Sequence, residues 1–416
     1  MGEDLSRRHL LESLGVSGAV WLSGCNLSGE TTPTPTAAPT GTPTGTPTAL
    51  PQSKIHSPTH SSTTSPYSGA AEPETSSETP GETTSETPSS RIDPVDHDKT
   101  VAAYYYPWYQ GRDGIPGFTT DPWTNITAGD PTLGNYRSSD LDVIDKHIEW
   151  SVEHGINAWI IGGMFDEANF RYLDSEHASL VDYACLEGIA PADTEVGRNY
   201  REDPVTWFSN RFEYMADVHF PRSNYLRFDS RPVLYIWAAA NRTDRLISGV
   251  QNARDRVSED IYLIADLDFW RDPARPGPRN GIREIARTFD AISMYNLYQP
   301  FVLQRRPELL AGESFLGAVA HRLREWAIGA EKYGVDFIPS VFPGFNVTNA
   351  GNRAKDWPIF ERSPRFFRDL CDLVLDFADP SLDAVFVTSF NEWPEYTAIE
   401  PTAEYDGVRD GELTVR

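Results

Sequence analysis

Ala384-Val385-Phe386-Val387-Thr388-Ser389-Phe390 is an apolar, β-branched and aromatic run that ends in Asn391-Glu392-Trp393-Pro394-Glu395, two carboxylates three residues apart. An apolar run with little polar alternation is the mark of a strand buried on both faces, and such strands belong to parallel sheets covered by helices. Working outward from it, seven more runs share the character: Val101 to Tyr106, Ala158 to Ile161, Val181 to Leu186, Pro232 to Trp237, Ile261 to Ala265, Ala291 to Tyr295 and Phe337 to Val341. They alternate with helix-periodic stretches, the order of βα units. With Ala384 to Ser389 they make eight strands and predict an α/β chain folded as a (β/α)8 TIM-type barrel.

The helices are legible from their ends and stripes. Ser139-Asp140 caps a stretch with Leu141, Ile144, Ile148 and Val152 on one face, which Gly155 stops. Leu316, Val319, Ala320, Leu323 and Trp326 mark a second helix before Gly334, and Ser363-Pro364 opens a third carrying Phe367, Leu370, Val374 and Phe377. Gly188 to Arg201 has no clear pattern. Phe390 to Arg416 contains Pro401, Gly407 and Gly411 but no helical stripe, so a barrel without a regular eighth helix is expected.

Composition divides the chain into three parts. Residues 1–25 carry Arg7-Arg8, a short mildly apolar stretch too short to span a bilayer, and Leu22-Ser23-Gly24-Cys25. This resembles a twin-arginine export signal with a lipoprotein box, in which Cys25 takes the lipid; an ordinary amphipathic helix is the alternative. Residues 26–97 are dominated by Thr, Pro, Ser and Gly, with the tract Thr32-Pro33-Thr34-Pro35-Thr36, and bury too little apolar surface to fold. Such an arm is an extended spacer open to O-glycosylation. Residues 98–416 are expected to form the folded (β/α)8 domain, the part of the chain that would carry any catalysis. The expected location is the outer face of the cell membrane, reached through the lipid anchor only. Sequons at Asn125, Asn241 and Asn346 are compatible with export.

Lys and Arg number 36 against 61 Asp and Glu, a net charge of -25, which argues against nucleic acid and anionic lipid as partners. An acidic surface also suits a high-salt habitat. Three cysteines lack the paired spacing of a zinc site, and no metal or cofactor is expected. Cys185 and Cys371 lie in apolar contexts and read as two buried free thiols, with one bridge between them as the alternative. GxGxxG, P-loop and HExxH patterns are absent from the sequence, which removes nucleotide and zinc-protease readings. A monomer is expected.

Barrel enzymes carry their reactive groups where strands end, so Glu392 and Glu395 past the last strand are the first candidates. Two carboxylates around an aromatic can flank one sugar, one activating an oxygen and the other protonating the leaving oxygen. As solvated loop acids they would do nothing. Trp108, Tyr109 and Trp123 could stack on sugar rings or simply pack. Asp266 and Asp268, just past the run Ile261 to Ala265, are a paired-acid alternative, Glu187 ends another run, and His219 and Asn296 are further open candidates; a solvated acid and a structural histidine are the plain readings of Glu187 and His219.

Ser389-Phe390-Asn391-Glu392-Trp393 with Glu395, Thr397, Ile399, Glu400 and Pro401 resembles the signature of glycoside hydrolase family 99, the endo-α-mannosidases, and their relatives in polysaccharide clusters. Tyr104 to Tyr109, Pro131 to Tyr136 with Ser139-Asp140, Arg231-Pro232-Val233 and Pro343-Gly344-Phe345 are similar to further landmarks, so the resemblance spans roughly Val101 to Gly407. It implies a retaining hydrolase working through a 1,2-anhydro sugar. Glu392 would take the proton of the substrate's 2-hydroxyl, and Glu395 would protonate the leaving oxygen and later activate water. It further implies substrate contacts from Trp108, Tyr109, Trp123, Tyr295, Asn391, Trp393 and Glu400, and a glycan as partner. Pro394, Tyr396 and Ala398 stand where the family has His, Gly and Gln, which bears on mannose specificity. A glycan-binding surface protein and a polysaccharide-assembly protein on the same barrel are the competing expectations.

Overall fold

The computed structural model describes residues 94–109, 129–162, 167–187, 203–237, 243–270, 282–299, 315–348 and 357–402, with the single positions 92, 123, 303, 305, 306 and 309. The export signal, Cys25, almost all of the arm, the sequons at Asn125 and Asn241, and residues 403–416, where a closing helix would fall, lie outside the described residues.

The barrel expectation is met. The strands are β1 (Thr100–Tyr105), β2 (Ala158–Gly162), β3 (Asp182–Glu187), β4 (Arg227–Phe228), β5 (Arg231–Ile236), β6 (Tyr262–Asp266), β7 (Ala291–Ser293), β8 (Asp336–Ile338), β9 (Ser340–Val341) and β10 (Ala384–Val387). They run in the order β8-β7-β6-β5-β3-β2-β1-β10-β9, all parallel along that path. Only Pro339 separates β8 from β9. Having no N–H it cannot donate to the ladder, but its carbonyl accepts from Phe386 N at 3.0 Å, so the one predicted strand from Phe337 to Val341 pairs β7 through its first half and β10 through its second. That stagger closes the ring.

The sequence reading did not foresee β4, an antiparallel partner of β5. Its turn is Asp229-Ser230, both at positive φ (51° and 65°), a primed hairpin turn without the Gly or Asn-Gly that announces one.

The helices are α1 (Leu141–Glu153), α2 (Pro204–Val218), α3 (Thr243–Arg254), α4 (Ile282–Ile285), α5 (Phe315–Tyr333) and α6 (Pro364–Leu375). Asp140 caps α1 through Asp142 N, and Ser363 caps α6 through Phe366 N at 3.2 Å. Gly155 (φ 75°) and Gly334 (φ 68°) end α1 and α5 in the left-handed conformation that the stop signals required. None of the described helices is long and apolar enough to cross a membrane.

Period-two alternation sorts each strand between two cores. Val385 and Val387 join the outer layer under the helices, whereas Ala384 and Phe386 join the lumen. In the lumen, alanines at 102, 158, 184 and 384 leave room for the rings of Tyr104, Tyr235, Tyr262 and Phe386. Tyr104 meets Tyr235, Tyr295 and Phe386 edge-on at 5.3, 4.8 and 5.8 Å. The lumen is therefore a packed plug, and the chemistry must sit at its rim.

Cys185 and Cys371 are both buried free thiols, as the first of the two sequence readings had it. Glu187 is neither solvated nor in the lumen. It ends β3 facing α2, where Arg211 Nε and Nη2 donate to Oε1 at 3.1 and 2.6 Å, and burial still pushes its pKa up against that pairing. Arg211→Ala leaves this carboxylate buried without its cation and is expected to destabilise the fold by about 3–5 kcal/mol, read by urea unfolding. Adding Glu187→Gln should recover most of that loss; a double variant no more stable than Arg211→Ala refutes the account.

Candidate active site

The rim is built where β10 turns away from β1. Phe390 N still donates to Tyr104 O at 2.8 Å, and one residue later the side chain of Asn391 takes over the ladder. Its Oδ1 accepts from Tyr106 N at 2.7 Å and its Nδ2 donates to Tyr106 O at 2.9 Å. The amide thus replaces a backbone pair and releases the main chain to turn. Tyr109 fixes that turn: its hydroxyl donates to Asn391 O at 2.7 Å and accepts from Trp393 N at 3.1 Å.

Trp393–Glu395 form a single 3-10 turn in which Pro394, with its preset φ, occupies a first-turn position that needs no N–H. Tyr396 ends the turn in the left-handed region (φ 61°), where glycine is the undemanding residue. Arg362 offsets that strain. It donates to the carbonyls of Tyr396 and Ala398 at 2.6 and 2.9 Å and lies 4.3 Å above the Tyr396 ring. The loop then closes on itself, with Ser389 N donating to Thr397 O (2.7 Å) and Glu400 N to Phe390 O (2.9 Å).

Glu400 is fully buried, and its carboxylate is engaged by the protein. Trp393 Nε1 donates at 2.7 Å, the Tyr136 hydroxyl at 2.8 Å, and His147 Nε2 lies 3.2 Å away, its Nδ1 bonded in turn to Tyr105. Trp123 donates to Tyr136 O at 3.0 Å and leans on Tyr109, centroids 4.2 Å apart. Trp393, Asn391, Tyr109, Trp123 and Glu400 therefore form one buried assembly behind the turn.

In front of it stand the two acids, Glu392 at 1% and Glu395 at 3% exposure. The Glu392 amide donates to Ser389 Oγ at 2.9 Å, and the Glu395 carbonyl accepts from Asn346 N at 2.9 Å. Tyr298 donates its hydroxyl to Glu395 Oε2. Burial pushes the Glu395 carboxyl up to about 8, against the opposing pull of the Tyr298 hydrogen bond. The phenols of Tyr106, Tyr109, Tyr295 and Tyr298 are raised well above their ordinary range, first by burial, then by Glu392 or Glu395 for Tyr106, Tyr109 and Tyr298 and by neighbouring phenols for Tyr295, so all four remain protonated donors. Tyr106 and Trp108 stack at 4.3 Å and keep 8% and 9% exposure. Tyr295 hangs between strands: its N–H donates to Asp266 at 2.8 Å and its carbonyl accepts from Thr388 Oγ1 at 2.8 Å.

Asp266 also accepts from Tyr235 at 3.2 Å, and Asp268 accepts from Gln299 at 3.0 Å, so this second acid pair is tied into the wall and not paired across a cleft. His219 is a buried structural histidine, its Nδ1 2.9 Å from the Tyr183 hydroxyl and its pKa lowered to about 4 by burial. Asn296 accepts from Gln299 N in a turn. Among the described residues, groups of three or more His, Cys, Asp or Glu that could hold a metal ion are absent.

Sequence reasoning named no role for Tyr106, Tyr136, His147, Tyr298 or Arg362. His147 was legible as a polar residue on the buried stripe of α1, and Tyr298 lies three residues beyond Tyr295, just past a strand end. Nothing in the sequence points to Arg362.

No family model matches the chain, and neither does any curated protein. Solved structures do. Two structures of the GH99 endo-α-mannosidase from Bacteroides thetaiotaomicron, one in complex with bis-tris-propane, superpose with a TM-score of 0.51 at 18% and 17% identity. They cover 76% and 75% of this chain and 90% of each neighbour. A glycoside hydrolase-like protein superposes with a TM-score of 0.53 at 23% identity, over 76% of this chain and 90% of its own. This chain shares their fold.

The Glu400 assembly makes a stability prediction. Glu400→Ala orphans the Trp393 and Tyr136 donors and should destabilise the fold by about 2–4 kcal/mol, read by chemical unfolding. Equal stability of the variant and the parent shows that the assembly is dispensable.

Proposed function

We propose that this chain is a glycoside hydrolase that cleaves α-mannosidic, or closely similar α-glycosidic, bonds with retention. The observation that carries the reading is a carboxyl raised to about 8, Glu395, beside a second buried carboxylate at the C-terminal rim of a barrel. A carboxyl still protonated at neutral pH can serve as a general acid. The fold shared with the GH99 endo-α-mannosidase structures supports the same choice.

In this reading Glu392 takes the proton of the sugar's 2-hydroxyl, whose oxygen attacks the anomeric carbon as the glycosidic bond breaks. Glu395 gives its proton to the leaving oxygen. The 1,2-anhydro sugar is then opened by water, which yields its proton to Glu395 while the departing O2 recovers the proton from Glu392. α-Mannosides fit because their axial 2-hydroxyl lies trans to the leaving group. Tyr106, Trp108, Trp123 and Tyr295 keep a little exposure at the rim and are the rings placed to meet sugar. The fully buried set of Tyr109, Asn391, Trp393 and Glu400 we assign to holding the pair in position. Arg7-Arg8 and Cys25 support export and lipid anchoring.

The test is incubation with α-mannan and a glycan panel beside Glu392→Gln and Glu395→Gln. Each substitution should lower kcat at least about a hundredfold. Binding without cleavage by the unmodified protein overturns the hydrolase reading in favour of a glycan-binding module. Activity should fall as pH rises through about 8, where Glu395 loses its proton. The linkage has the same sign: a carboxyl raised on folding contributes stability below its ordinary value near 4.5, which is lost as pH climbs to about 8. Glu395→Gln should flatten the thermal stability profile across that window, as scanning calorimetry would show.

Cys25→Ala should move the protein from the membrane fraction to the medium. Retention in the membrane fraction refutes the lipid anchor.

A further inference from the structure

We propose that Tyr298 is a positioning residue that decides which oxygen of Glu395 carries the catalytic proton. This rests on the hydrolase reading above. The geometry supplies it. Tyr298 donates to Oε2, and of the two oxygens of a protonated carboxyl the carbonyl oxygen is the better acceptor, so this hydrogen bond favours the form with the proton on the other oxygen. The transferable proton is thereby biased to Oε1.

The donor is itself immobilised. The Tyr298 ring stacks on Phe345 with centroids 4.1 Å apart and 25° between planes, and Phe342 packs against it at 5.1 Å. The residue after Phe345, Asn346, donates its N–H to the Glu395 carbonyl at 2.9 Å. One short segment past β9 therefore sets both the phenol and the main chain of the acid it serves. Tyr298 is fully buried, and its phenol is raised by burial and by Glu395, so it stays a donor throughout the working pH range.

The consequence follows the proton through the reaction. When the glycosidic C–O bond breaks, Glu395 Oε1 gives up its proton to the leaving oxygen and the carboxylate is left with negative charge. The Tyr298 hydrogen bond stabilises that charge without donating a second proton. When water attacks the anomeric carbon, its proton returns to Oε1, so the same oxygen serves both steps. Among the described residues, the other titratable groups facing Glu395 are Tyr106 from the end of β1, Tyr295 from beyond β7 and Glu392 from its own loop. Both phenols stay protonated. Arg362, reaching the following carbonyls at Tyr396 and Ala398, is the cation of this loop.

The experiment is Tyr298→Phe in the full-length protein, followed by kcat and KM on an α-mannoside from pH 5 to pH 10. Loss of a hydrogen bond to the charged form should move the alkaline limb of kcat upward by about one pH unit and lower kcat roughly tenfold, with KM changed less than about twofold. The pH profile of thermal stability should move upward in step. A uniform fall in kcat with an unmoved limb means that Tyr298 is only packing and overturns the proposal.

Replacement of Tyr298 by 3,5-difluorotyrosine keeps the ring and makes a stronger donor, so its limb must move the other way, to lower pH. A limb that stays put in this variant also overturns the proposal, even if the Phe variant fails to fold. If the unmodified protein cleaves nothing, the hydrolase reading fails by itself. The stability limb, which needs no substrate, then decides the Tyr298–Glu395 coupling: unmoved in both variants, it sinks it.

Discussion

The candidate site depends on one buried polar side chain, Glu400. A carboxyl group without solvent must be answered by hydrogen-bond partners, and here they come from several parts of the chain. Trp393 belongs to the turn past β10, Tyr136 to the β1–α1 connection and His147 to α1, itself bonded to Tyr105 of β1. Each donor is a rigid aromatic or imidazole group, so satisfying Glu400 fixes the turn against the first βα unit. Asn391 adds the second constraint by pairing with the Tyr106 backbone as a strand residue would. Glu392 lies directly between Asn391 and Trp393, the turn residue that bonds Glu400, which leaves the first acid little freedom.

The second acid is positioned from the other side. Asn346 holds its carbonyl, Tyr298 its carboxyl and Arg362 the carbonyls just beyond it. The two acids thus share a turn but take their supports from different sectors of the ring, β1 and α1 for one and the β7 and β9 connections for the other. The same supports explain how the turn accepts Pro394 and Tyr396. A proline suits the first-turn position it occupies, and the left-handed Tyr396 is compensated by Arg362, which bonds its carbonyl and covers its ring. These departures from the resembled pattern are absorbed by the loop without displacing either acid from it.

The barrel was legible because strands buried on both faces write continuous apolar runs, and all eight were found to within a few residues. The one run that divided, Phe337 to Val341, divided at its proline, which no count of apolar residues reveals. The β4 hairpin was missed because Asp-Ser carries a weaker turn signal than Asn-Gly. In the site, the two acids were legible as a local doublet at a strand end, whereas their partners were not. Tyr106, Tyr298 and Glu395 lie beyond three different strands, and ring closure alone makes them neighbours. Trp393 and Glu400 read as substrate contacts because the resembled signature contains them. Only packing shows that they bond to one another at 2.7 Å.

Burial, and not the net charge of -25, raises Glu395. Charges at the surface of a protein are screened over about 8–10 Å at physiological ionic strength, so their sum reaches a buried group weakly. The causes that act on Glu395 are local: loss of water raises it, and the Tyr298 hydrogen bond partly reverses that. An acid set by burial keeps its protonation when salt changes, whereas one set by surface charge would drift. The acidic exterior and the raised acid are thus independent features, which lets the surface serve solubility or salt while the turn past β10 keeps its proton.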